Sequence, residues 1–544
     1  MTEGEAKANE RAEKIKVWLK DPSNLLISLI VIFAFVLHIY YLNMASGQTL
    51  WWDEAEYMAT AKHWALDIPY TLNPQRPPLF QLSAAFLIRA GLDEFALKFL
   101  LIILPATALI YFTYLLGKEL FDKKTGLFAA LASAGMWSYL FWGARFQPDF
   151  LSLAFQVLSL FFFWRMFKNN NSKDAILGGI FAAAGFYFKI SALLIPLIIG
   201  IFAFWKDRSD TFKKKIYWQA GLAFIISMVP FMLWQYSFFG SPLEFAKSYG
   251  VEGGSSERPL GWQALDFFTI FPKELFFILF CAGIISALIY LGLRFDIILK
   301  EKEKRTDPRI FSIISLVCIS AFYVFYIQGV IEDRWVFLIT PFIFIFAAQG
   351  VFALLSIFKI NKKEIQILII LVLFVIFFNS QLNHAGNQIK SSSGSYAPVK
   401  EAALWIKDHT GYQDKVVSAS YTQMTAYAER EVLIFSPCPY VCSPYKDELE
   451  FDKALREKKP KYVMFSIFEG HPPWIFQKQE GQQEKTKFVA WIMPYVNSTI
   501  IMSESGQVLS FDLKQNVQRE GITLTLVYPT NQINGVFIYE LKYD

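Results

Sequence analysis

The chain has 544 residues and a net charge of only +5, with 54% hydrophobic, 17% aromatic and 18% charged residues. Its mean hydropathy is +0.34, whereas soluble domains are about 45–50% apolar and about 25% charged. These values exclude an ordinary soluble protein. The basic residues form short clusters between apolar runs, which favours a membrane topology over nucleic-acid binding. The four cysteines show no metal-type spacing with histidine.

The apolar runs predict a series of membrane spans. The first 20 residues are polar and charged, so no cleaved signal peptide is expected. A spanning helix needs about 20 apolar residues. On that criterion, spans are predicted near 25–42, 95–116, 126–142, 150–167, 217–238, 274–293, 310–327, 335–357 and 365–378. The segment 175–205 is interrupted by Lys189 and Pro196, and it is predicted to form two short crossings or half-helices.

The distribution of Lys and Arg predicts the orientation, because short cytoplasmic loops are enriched in both. With the N-terminal segment 1–24 in the cytoplasm, the inside segments hold 24 Lys and Arg and the outside loops hold nine. This arrangement requires the apolar stretch Leu79–Gly91 to lie along the outer interface as a helix that does not span. We therefore expect a multi-pass protein of the cell membrane with about 11 crossings, its N-terminus inside and its C-terminus outside.

The predicted domain organisation follows from a change of composition after the last span. Residues 25–384 form a transmembrane domain with a long outer loop at 43–94, and residues 385–544 are polar. In the polar part, helix-like stretches alternate with strand-like runs. The helices are predicted at Val399–His409 and Lys446–Glu457, and the strands at Val416–Ala419, Val432–Phe435, Tyr462–Ile467, Ile522–Val527 and Val536–Leu541. We expect an extracytoplasmic α/β domain. The side of the membrane permits a disulfide between Cys438 and Cys442, but the short loop makes its geometry demanding, so the sequence does not decide whether it forms.

Polar and ionisable side chains of both signs occur in several predicted outer loops. Ionisable groups near membrane depth usually face a cavity or a partner. Their convergence on one side therefore favours a functional site over solvated loop charges. The residues are Asp53, Glu54, Tyr57 and Arg76 in the first loop, Arg145 and Asp149 in the second, Lys189 in the interrupted segment, and Glu332, Asp333 and Arg334 before the tenth crossing.

Such a set suits the transfer of a sugar from a phosphate. A carboxylate can take the proton of an acceptor hydroxyl as it attacks an anomeric carbon. Arg and Lys can hold the phosphate and stabilise the negative charge that develops as it leaves. Because a phosphate leaving group needs no protonation, one base and a cationic clamp suffice, unlike the two carboxylates of a glycoside hydrolase.

The order of three motifs resembles the GT-C glycosyltransferases, and most of all the protein O-mannosyltransferases and the bacterial aminoarabinose transferase. The motifs are Asp53-Glu54-x-x-Tyr57, Arg76-Pro77-Pro78-Leu79 and Arg145-x-x-Pro148-Asp149. Two further elements are similar to the Thr-Lys-Gly and Arg-Tyr…Pro elements of that family. They are Phe188-Lys189 before Pro196, and Arg334-Trp335 before Pro341.

The resemblance implies the GT-C fold and a donor in which a sugar is attached to polyprenyl or dolichyl phosphate. A mannose-like sugar is favoured by the resemblance alone. The resemblance implies inverting transfer to a hydroxyl acceptor on the outer face. It implies that Asp53 is the general base with Glu54 beside it, and that Asp149 is a second acid. Arg76, Lys189 and Arg334 would hold the donor phosphate, and Tyr57, Arg145, Glu332 and Asp333 would bind substrate. Gln75 stands where the aminoarabinose transferase carries an acid linked to a metal, so a divalent metal stays open.

Two other classes of function stay open. Many spans and an interrupted segment with a lysine are compatible with a transporter or flippase for a lipid-linked or anionic substrate. A receptor whose outer α/β domain binds a ligand is the third class. Within the enzyme class, the acceptor is a protein, a glycan or a lipid, and no nucleic-acid partner is expected.

Overall fold

The computed structural model describes residues 18, 20–253, 273–326, 332–434, 445–469, 472–483, 486–503, 508–529 and 535–544. Cys438 and Cys442 lie outside these residues. The chain divides into two compact units. The membrane unit comprises Met1–Ser46, Asn73–Phe80 and Asp93–Ser391, and the C-terminal unit comprises Gly47–Leu72, Gln81–Leu92 and Ser392–Asp544.

Helices dominate the first 391 residues. In chain order they are α1 (Pro22–Met44), α2 (Trp52–Leu66), α3 (Leu79–Arg89), α4 (Glu94–Lys98), α5 (Leu104–Leu120), α6 (Lys123–Ala134), α7 (Trp137–Trp142), α8 (Asp149–Asn169), α9 (Ser172–Phe186), α10 (Leu194–Asp207), α11 (Lys215–Phe239), α12 (Glu244–Gly253), α13 (Lys273–Leu293), α14 (Phe295–Lys300), α15 (Pro308–Tyr326), α16 (Thr340–Ile357) and α17 (Lys363–Ser391). A π-helical turn, Phe99–Ile103, joins α4 to α5. Short 3₁₀ helices at Ile190–Leu193 and Asp333–Ile339 precede α10 and α16.

Among the described residues, nine helical segments are long and apolar enough to cross a membrane. They are Pro22–Met44, Glu94–Leu120, Asp149–Asn169, Ile190–Lys213, Lys215–Phe239, Leu275–Leu293, Pro308–Phe325, Asp333–Ile357 and Lys363–Ser391. The predicted polytopic helical fold is confirmed. The number of crossings and the orientation stay predictions. The predicted interruption in 175–205 is present, because α9 ends at Phe186 and helical structure resumes at Ile190.

One predicted span differs from the structure. The segment 126–142 was expected to be continuous, but it forms α6 and α7 with a break at Gly135 and Met136. Met136 is extended, and the backbone N–H of Trp137 donates to the side chain of Gln381 at 2.8 Å. A Cβ on Gly135 would lie 2.2 Å from the ring of Phe378. The packing of α17 against the break therefore explains why the helix does not continue.

Helices α13 and α16 approach each other closely at two glycines. A Cβ on Gly283 would lie 1.9 Å from the carbonyl oxygen of Phe346, and one on Gly350 would lie 2.0 Å from that of Leu279. In a membrane, small residues at the contact let helix backbones pack closely, which strengthens the van der Waals contact between them. This contact anchors α16, most of whose residues are buried.

Tyr187 links the interrupted segment to α11. Pro230 inside α11 lacks a backbone N–H and disturbs the helical hydrogen bonds around it. The Tyr187 hydroxyl accepts a hydrogen bond from the Phe231 N–H at 2.9 Å and donates to the Ser227 carbonyl at 3.0 Å. It thereby bridges a donor and an acceptor that a regular helix would pair with each other. The turn that follows α9 is fixed on α11 as a result.

The C-terminal unit adds a mixed sheet and a smaller antiparallel sheet. Its helices are α18 (Ala397–His409), α19 (Tyr421–Ala428) and α20 (Glu448–Lys458), and its strands are β1 (Lys415–Ser418), β2 (Glu431–Ile434), β3 (Tyr462–Ser466), β4 (Gln477–Gln483), β5 (Thr486–Met493), β6 (Ser498–Ser503), β7 (Val508–Asp512), β8 (Asn516–Arg519), β9 (Ile522–Tyr528) and β10 (Val536–Tyr543). The large sheet has the order β2-β1-β3-β10-β9-β8, and the small one β4-β5-β6-β7.

The two sheets share one hydrophobic core. In the large sheet, β1 pairs in parallel with β2 and β3, while β10 pairs antiparallel with β3 and β9. Val463 and Phe537 of this sheet belong to the same buried cluster as Ile500 of the small sheet and Phe451 of α20. The predicted α/β domain is confirmed, with strands at the five predicted places and helices at the two. Helix α19 and strands β4 to β8 were not predicted.

Candidate active site

In the membrane unit, α8 presents a buried carboxylate at its first turn. Asp149 is the first residue of the helix and follows Pro148. A carboxylate at this position is favoured by the partial positive charge of a helix N-terminus. Only 3% of Asp149 is exposed, and a charge this buried is stable only when ion pairs and hydrogen bonds compensate for the lost water.

Two cations supply that compensation. The Lys189 ammonium donates a hydrogen bond to Oδ1 of Asp149 and forms an ion pair with it. The Arg334 Nη1 lies 3.8 Å from Oδ2. The exposed fractions of the side chains are 2% for Asp149, 6% for Arg334 and 25% for Lys189. We call these three residues the Asp149 cluster. The structure thus brings together three residues that the sequence places in three separate outer loops.

The Arg334 guanidinium is held from two further sides. Its Nε forms an ion pair with Glu332, and its central carbon lies 4.8 Å from the centre of the Trp142 ring, within the range of a cation–π contact. The Trp142 indole N–H donates to Asp333 at 2.8 Å, and the Ser138 hydroxyl also donates to Asp333. Glu332 therefore orients Arg334 directly, and Asp333 does so through Trp142.

The turn that carries Arg76 is tied to the segment that carries Lys189. The Arg76 N–H donates to the Asn73 carbonyl at 3.1 Å, which closes the turn. At the end of the turn, the Leu79 N–H donates to the Tyr187 carbonyl at 3.3 Å, two residues before Lys189. Arg76 is partly buried. The Tyr187 backbone and hydroxyl together hold the predicted phosphate-binding segments in one part of the membrane unit.

Arg145 occupies the loop just before α8. Only 2% of the residue is exposed, and its guanidinium carbon lies 5.6 Å from the centre of the Phe141 ring. The neighbouring Phe146 packs against Phe80, with ring centres 4.8 Å apart. This contact joins the loop before α8 to the end of the turn that carries Arg76.

The Asp149 cluster lines a narrow cleft. Other lining residues include Gln156, Ser191, Tyr323 and Trp335. The space inside has a volume of about 10 Å³, enough for about one water molecule. A larger anion would therefore have to displace the side chains that now pair with one another. Sequence reasoning missed Gln156, Ser191 and Tyr323, and the available signal was a polar side chain within an apolar span.

In the C-terminal unit, α2 carries the other predicted site residues in its first two turns. Asp53 is partly buried, Glu54 is fully buried and Tyr57 is 5% exposed. Acidic residues in a first turn are stabilised by the helix dipole. The predicted base thus lies on a regular helix, which positions a side chain more rigidly than a loop does.

Helix α19 holds α2 in place. The rings of Trp52 and Tyr421 meet edge-on with centres 5.3 Å apart, and Tyr421 stacks on Tyr70 at 5.8 Å. At the other end, the Lys62 ammonium donates to Glu429 at 2.7 Å and to the Ala426 carbonyl, also at 2.7 Å. The residue before the predicted base is therefore packed against an element that the sequence did not reveal.

Two carboxyl groups near α19, those of Glu429 and Glu469, have shifted pKa values. Burial by itself would raise the pKa of Glu429, but its ion pairs with Lys407 and Lys62 outweigh burial and hold the pKa below its usual value. Burial raises the pKa of Glu469 to about 7, and the Ser420 hydroxyl donates to this carboxyl at 3.2 Å. Ser420 and Glu469 follow β1 and β3, so they lie at the carboxyl edge of two neighbouring parallel strands.

A metal site is not evident in the part of the chain that the structure describes. No group of three His, Cys, Asp or Glu side chains in those residues could hold a metal ion. Whether a divalent metal takes part, the question raised by Gln75 in place of an acid, is not decided by these residues.

Comparisons with known proteins agree on the fold. The family model described as dolichyl-phosphate-mannose-protein mannosyltransferase matches residues 75–234. No curated protein matches the chain in sequence. The apo oligosaccharyltransferase of Archaeoglobus fulgidus is similar in structure, with a TM-score of 0.61 and 13% identity over 92% of this chain and 75% of that one.

Two further solved structures contain a lipid phosphate. The Archaeoglobus fulgidus oligosaccharyltransferase AglB, in complex with an inhibitory peptide and a dolichol-phosphate, has a TM-score of 0.54 and 14% identity, covering 82% of this chain and 70% of that one. ArnT from Cupriavidus metallidurans bound to undecaprenyl phosphate has a TM-score of 0.59 and 12% identity, covering 81% of this chain and 93% of that one. The predicted resemblance is confirmed, and the chain has the fold of the GT-C glycosyltransferases.

Proposed function

We propose that the protein transfers a sugar from a polyprenyl or dolichyl phosphate to a hydroxyl acceptor, with inversion at the anomeric carbon. The observation that carries this proposal is the Asp149 cluster, in which Lys189 and Arg334 converge at the start of an apolar helix. Two cations at this depth suit a phosphate whose lipid tail lies in the membrane. The fold is shared with structures that contain dolichol-phosphate and undecaprenyl phosphate.

In the proposed reaction, the acceptor oxygen forms a bond to the anomeric carbon as its proton passes to the Asp53 carboxylate. The bond between the anomeric carbon and the phosphate oxygen breaks, and the lipid phosphate leaves with the electron pair. Lys189, Arg334 and Arg76 stabilise the charge that develops on the phosphate. Glu54 and Tyr57 orient the acceptor beside Asp53, and Arg145 contributes to substrate binding.

The finer assignments are part of the same proposal. A mannose-like hexose is the proposed sugar, since the matched family model is described as dolichyl-phosphate-mannose-protein mannosyltransferase. A protein, a glycan or a lipid is the acceptor. The proposed reaction takes place on the outer face of the cell membrane, since the distribution of Lys and Arg predicts that the loops concerned lie on that side.

The test is transfer of labelled mannose from polyprenyl-phosphate mannose in membranes that contain the protein. The Asp53→Asn variant should lose transfer, since the base is removed at nearly constant size. Asp67→Asn is the matched control, because Asp67 ends the same helix, is exposed and has the left-handed conformation that Asn tolerates. Transfer by Asp53→Asn at the wild-type rate would refute the role of the base.

Separate variants test the side chains that are proposed to hold the donor phosphate. We expect Lys189→Gln and Arg334→Gln to raise the KM for the donor, and each to lower kcat/KM by about 10- to 100-fold, the value of one or two charge-assisted hydrogen bonds. Uptake of the lipid-linked sugar into proteoliposomes without any transferred product would instead support the transporter class.

A further inference from the structure

A second polar cavity lies at the other end of the membrane unit. Its volume is about 500 Å³, and its lining includes Tyr290, Arg294, Glu301, Lys304 and Asp307. Ligand sites in proteins commonly have volumes of about 300–1,000 Å³. The cavity lies between the end of α13 and the start of α15. Since α15 runs from there towards the segment that carries Arg334, the cavity and the Asp149 cluster lie at opposite ends of a span.

The chain around the cavity has the composition of a membrane interface. Leu293, Phe295 and Ile297 are 82%, 53% and 46% exposed. They alternate along residues 293–297 with the charged residues Arg294 and Asp296. Apolar side chains beside basic ones at the end of a span are typical of the headgroup region, where the apolar parts enter the lipid and the cations stay at the surface. This composition favours a position of the cavity at the depth of lipid headgroups.

Two of the nearby cations have structural partners. The Arg305 guanidinium donates to the carbonyls of Ile298, Leu299 and Lys206 at 3.4, 2.6 and 3.4 Å, which fixes α14 beside the cavity. Arg309 is 3.6 Å from Asp307. These contacts make the wall of the cavity rigid without using the remaining basic side chains.

Arg294 and Lys304 are the two basic residues in the lining of the cavity. Arg294 is held in position by Tyr290, whose hydroxyl accepts a hydrogen bond from Nη1 at 2.9 Å and whose ring centre lies 4.6 Å from the guanidinium carbon. The guanidinium of Arg309 lies 3.9 Å from the same ring centre. Within the described ranges, neither Arg294 nor Lys304 has a carboxylate within 4 Å. Both are exposed and available to an anion.

We propose that this cavity binds the headgroup of a membrane phospholipid. The phosphodiester lies between the planar guanidinium of Arg294, which can donate two parallel hydrogen bonds, and the ammonium of Lys304. Glu301 accepts hydrogen bonds from the hydroxyl groups of a headgroup such as glycerol. The acyl chains pass over Leu293 and Phe295, which is why a lipid fits the site better than a soluble phosphate. The site is separate from the donor site of the proposed function.

Native mass spectrometry of the purified full chain tests the proposal, with phosphatidylglycerol and phosphatidylcholine as probes. We expect the wild type to retain one phosphatidylglycerol in preference to phosphatidylcholine. The double variant Arg294→Gln with Lys304→Gln should bind it at least tenfold more weakly, since both cations that donate charge-assisted hydrogen bonds to the phosphodiester are removed. Both side chains are exposed, so an unchanged Tm should show that folding is intact.

The matched control is Lys362→Gln with Lys363→Gln. These two exposed lysines are the residue before α17 and its first residue, and they lie at the same end of the membrane unit but outside the cavity. The control substitutions remove the same charge as the test substitutions. Equal loss of lipid in both double variants would mean that the lipid is held only by general electrostatic attraction to basic residues, and it would overturn the proposal. Displacement of the lipid by excess inorganic phosphate would show that the site takes a soluble anion instead. Equal retention of both lipids would also contradict it.

Discussion

The Asp149→Asn substitution gives the sharpest test of the Asp149 cluster. The change removes one negative charge and keeps the size of the side chain. Lys189 and Arg334 would then face each other without the carboxylate that separates them. Because Asp149 and Arg334 are almost completely buried, little water can replace the lost anion, and Arg334 keeps its ion pair with Glu332 while its second anionic neighbour is lost. We expect the membrane unit to lose stability, and to regain it when another anion enters the cleft.

The expected loss can be worked out from the distances. At the 3.8 Å between Arg334 and Asp149, one pair of unit charges interacts by about 4 kcal/mol at an effective dielectric constant of about 20. Removing one partner of a buried ion pair costs about 3–5 kcal/mol. Since the entropy of unfolding grows with chain length, a loss of about 1 kcal/mol lowers Tm by about 1–1.5 °C in a unit of about 350 residues. We therefore expect Asp149→Asn to lower Tm by about 3–7 °C.

The assay is thermal unfolding of the full chain in detergent, with and without undecaprenyl phosphate. A ligand at about 100 times its Kd adds about 2.7 kcal/mol of stability, so the lipid phosphate should recover much of the loss. It should stabilise Asp149→Asn more than the wild type, because in the wild type the carboxylate competes with the phosphate for the same two cations.

Asp207→Asn is the matched control. Asp207 is the last residue of α10, its side chain is fully buried, and its oxygens lie 2.6 Å from Lys214 and 3.4 Å from Lys302. This variant should be destabilised to a similar degree but should not be rescued by the lipid phosphate. The reasoning is wrong if Asp149→Asn melts like the wild type, or if the lipid rescues both variants equally.

Three other substitutions have expected outcomes. Tyr187→Phe removes both hydroxyl hydrogen bonds on α11, so we expect it to cost about 1–3 kcal/mol in unfolding and to raise donor KM. Gly350→Leu should lower Tm sharply, since a Cβ there already overlaps the Leu279 carbonyl oxygen. Glu469 has a pKa raised by burial from 4.5 to about 7, so its contribution to stability is present at low pH and is lost as pH rises from about 5 to 7. The wild type should therefore lose about 1–3 kcal/mol more stability than Glu469→Gln as pH rises over that range, which thermal unfolding at several pH values measures.

The sequence predicted the helical part of the fold because apolar length is a direct consequence of the membrane. Each span from Pro22–Met44 to Lys363–Ser391 needs an uninterrupted apolar run, and such runs can be read without knowledge of the neighbours. The break at Gly135 could not be read in this way. It depends on Phe378 and Gln381, which come more than 200 residues later in the chain.

In the C-terminal unit, the sequence predicted those strands and helices whose side chains show a clear apolar pattern, either continuous or alternating. Strands β1, β3 and β10 are apolar runs and were found. Strand β4 contains Gln, Lys and Glu and carries little apolar pattern, so it was missed. Helix α19 was missed because it is short, and its buried polar residues, Thr422 and Gln423, hide an apolar face.

The candidate site shows the same limit. The sequence identified Asp149, Lys189 and Arg334 by charge and by order along the chain, but it assigned Asp149 as an acid without its partners. The structure shows that both carboxylate oxygens face cations. Which charges pair is set by the packing of three helical segments, and a single sequence carries no signal for that packing.

Burial and partners separate basic residues that the sequence alone treats alike. Lys189 and Arg334 lie at one end of the membrane unit and share a buried carboxylate, so each already has the charge neutralisation that an anionic substrate would replace. At the other end, the Arg305 guanidinium donates its hydrogen bonds to backbone carbonyls, while Arg294 is exposed and is held by the ring and the hydroxyl of Tyr290. The first environment favours exchange of one anion for another in a closed cleft, and the second favours retention of an anion at a surface. A variant series that compares the Asp149 cluster with Arg294 therefore separates substrate binding from lipid binding within one molecule.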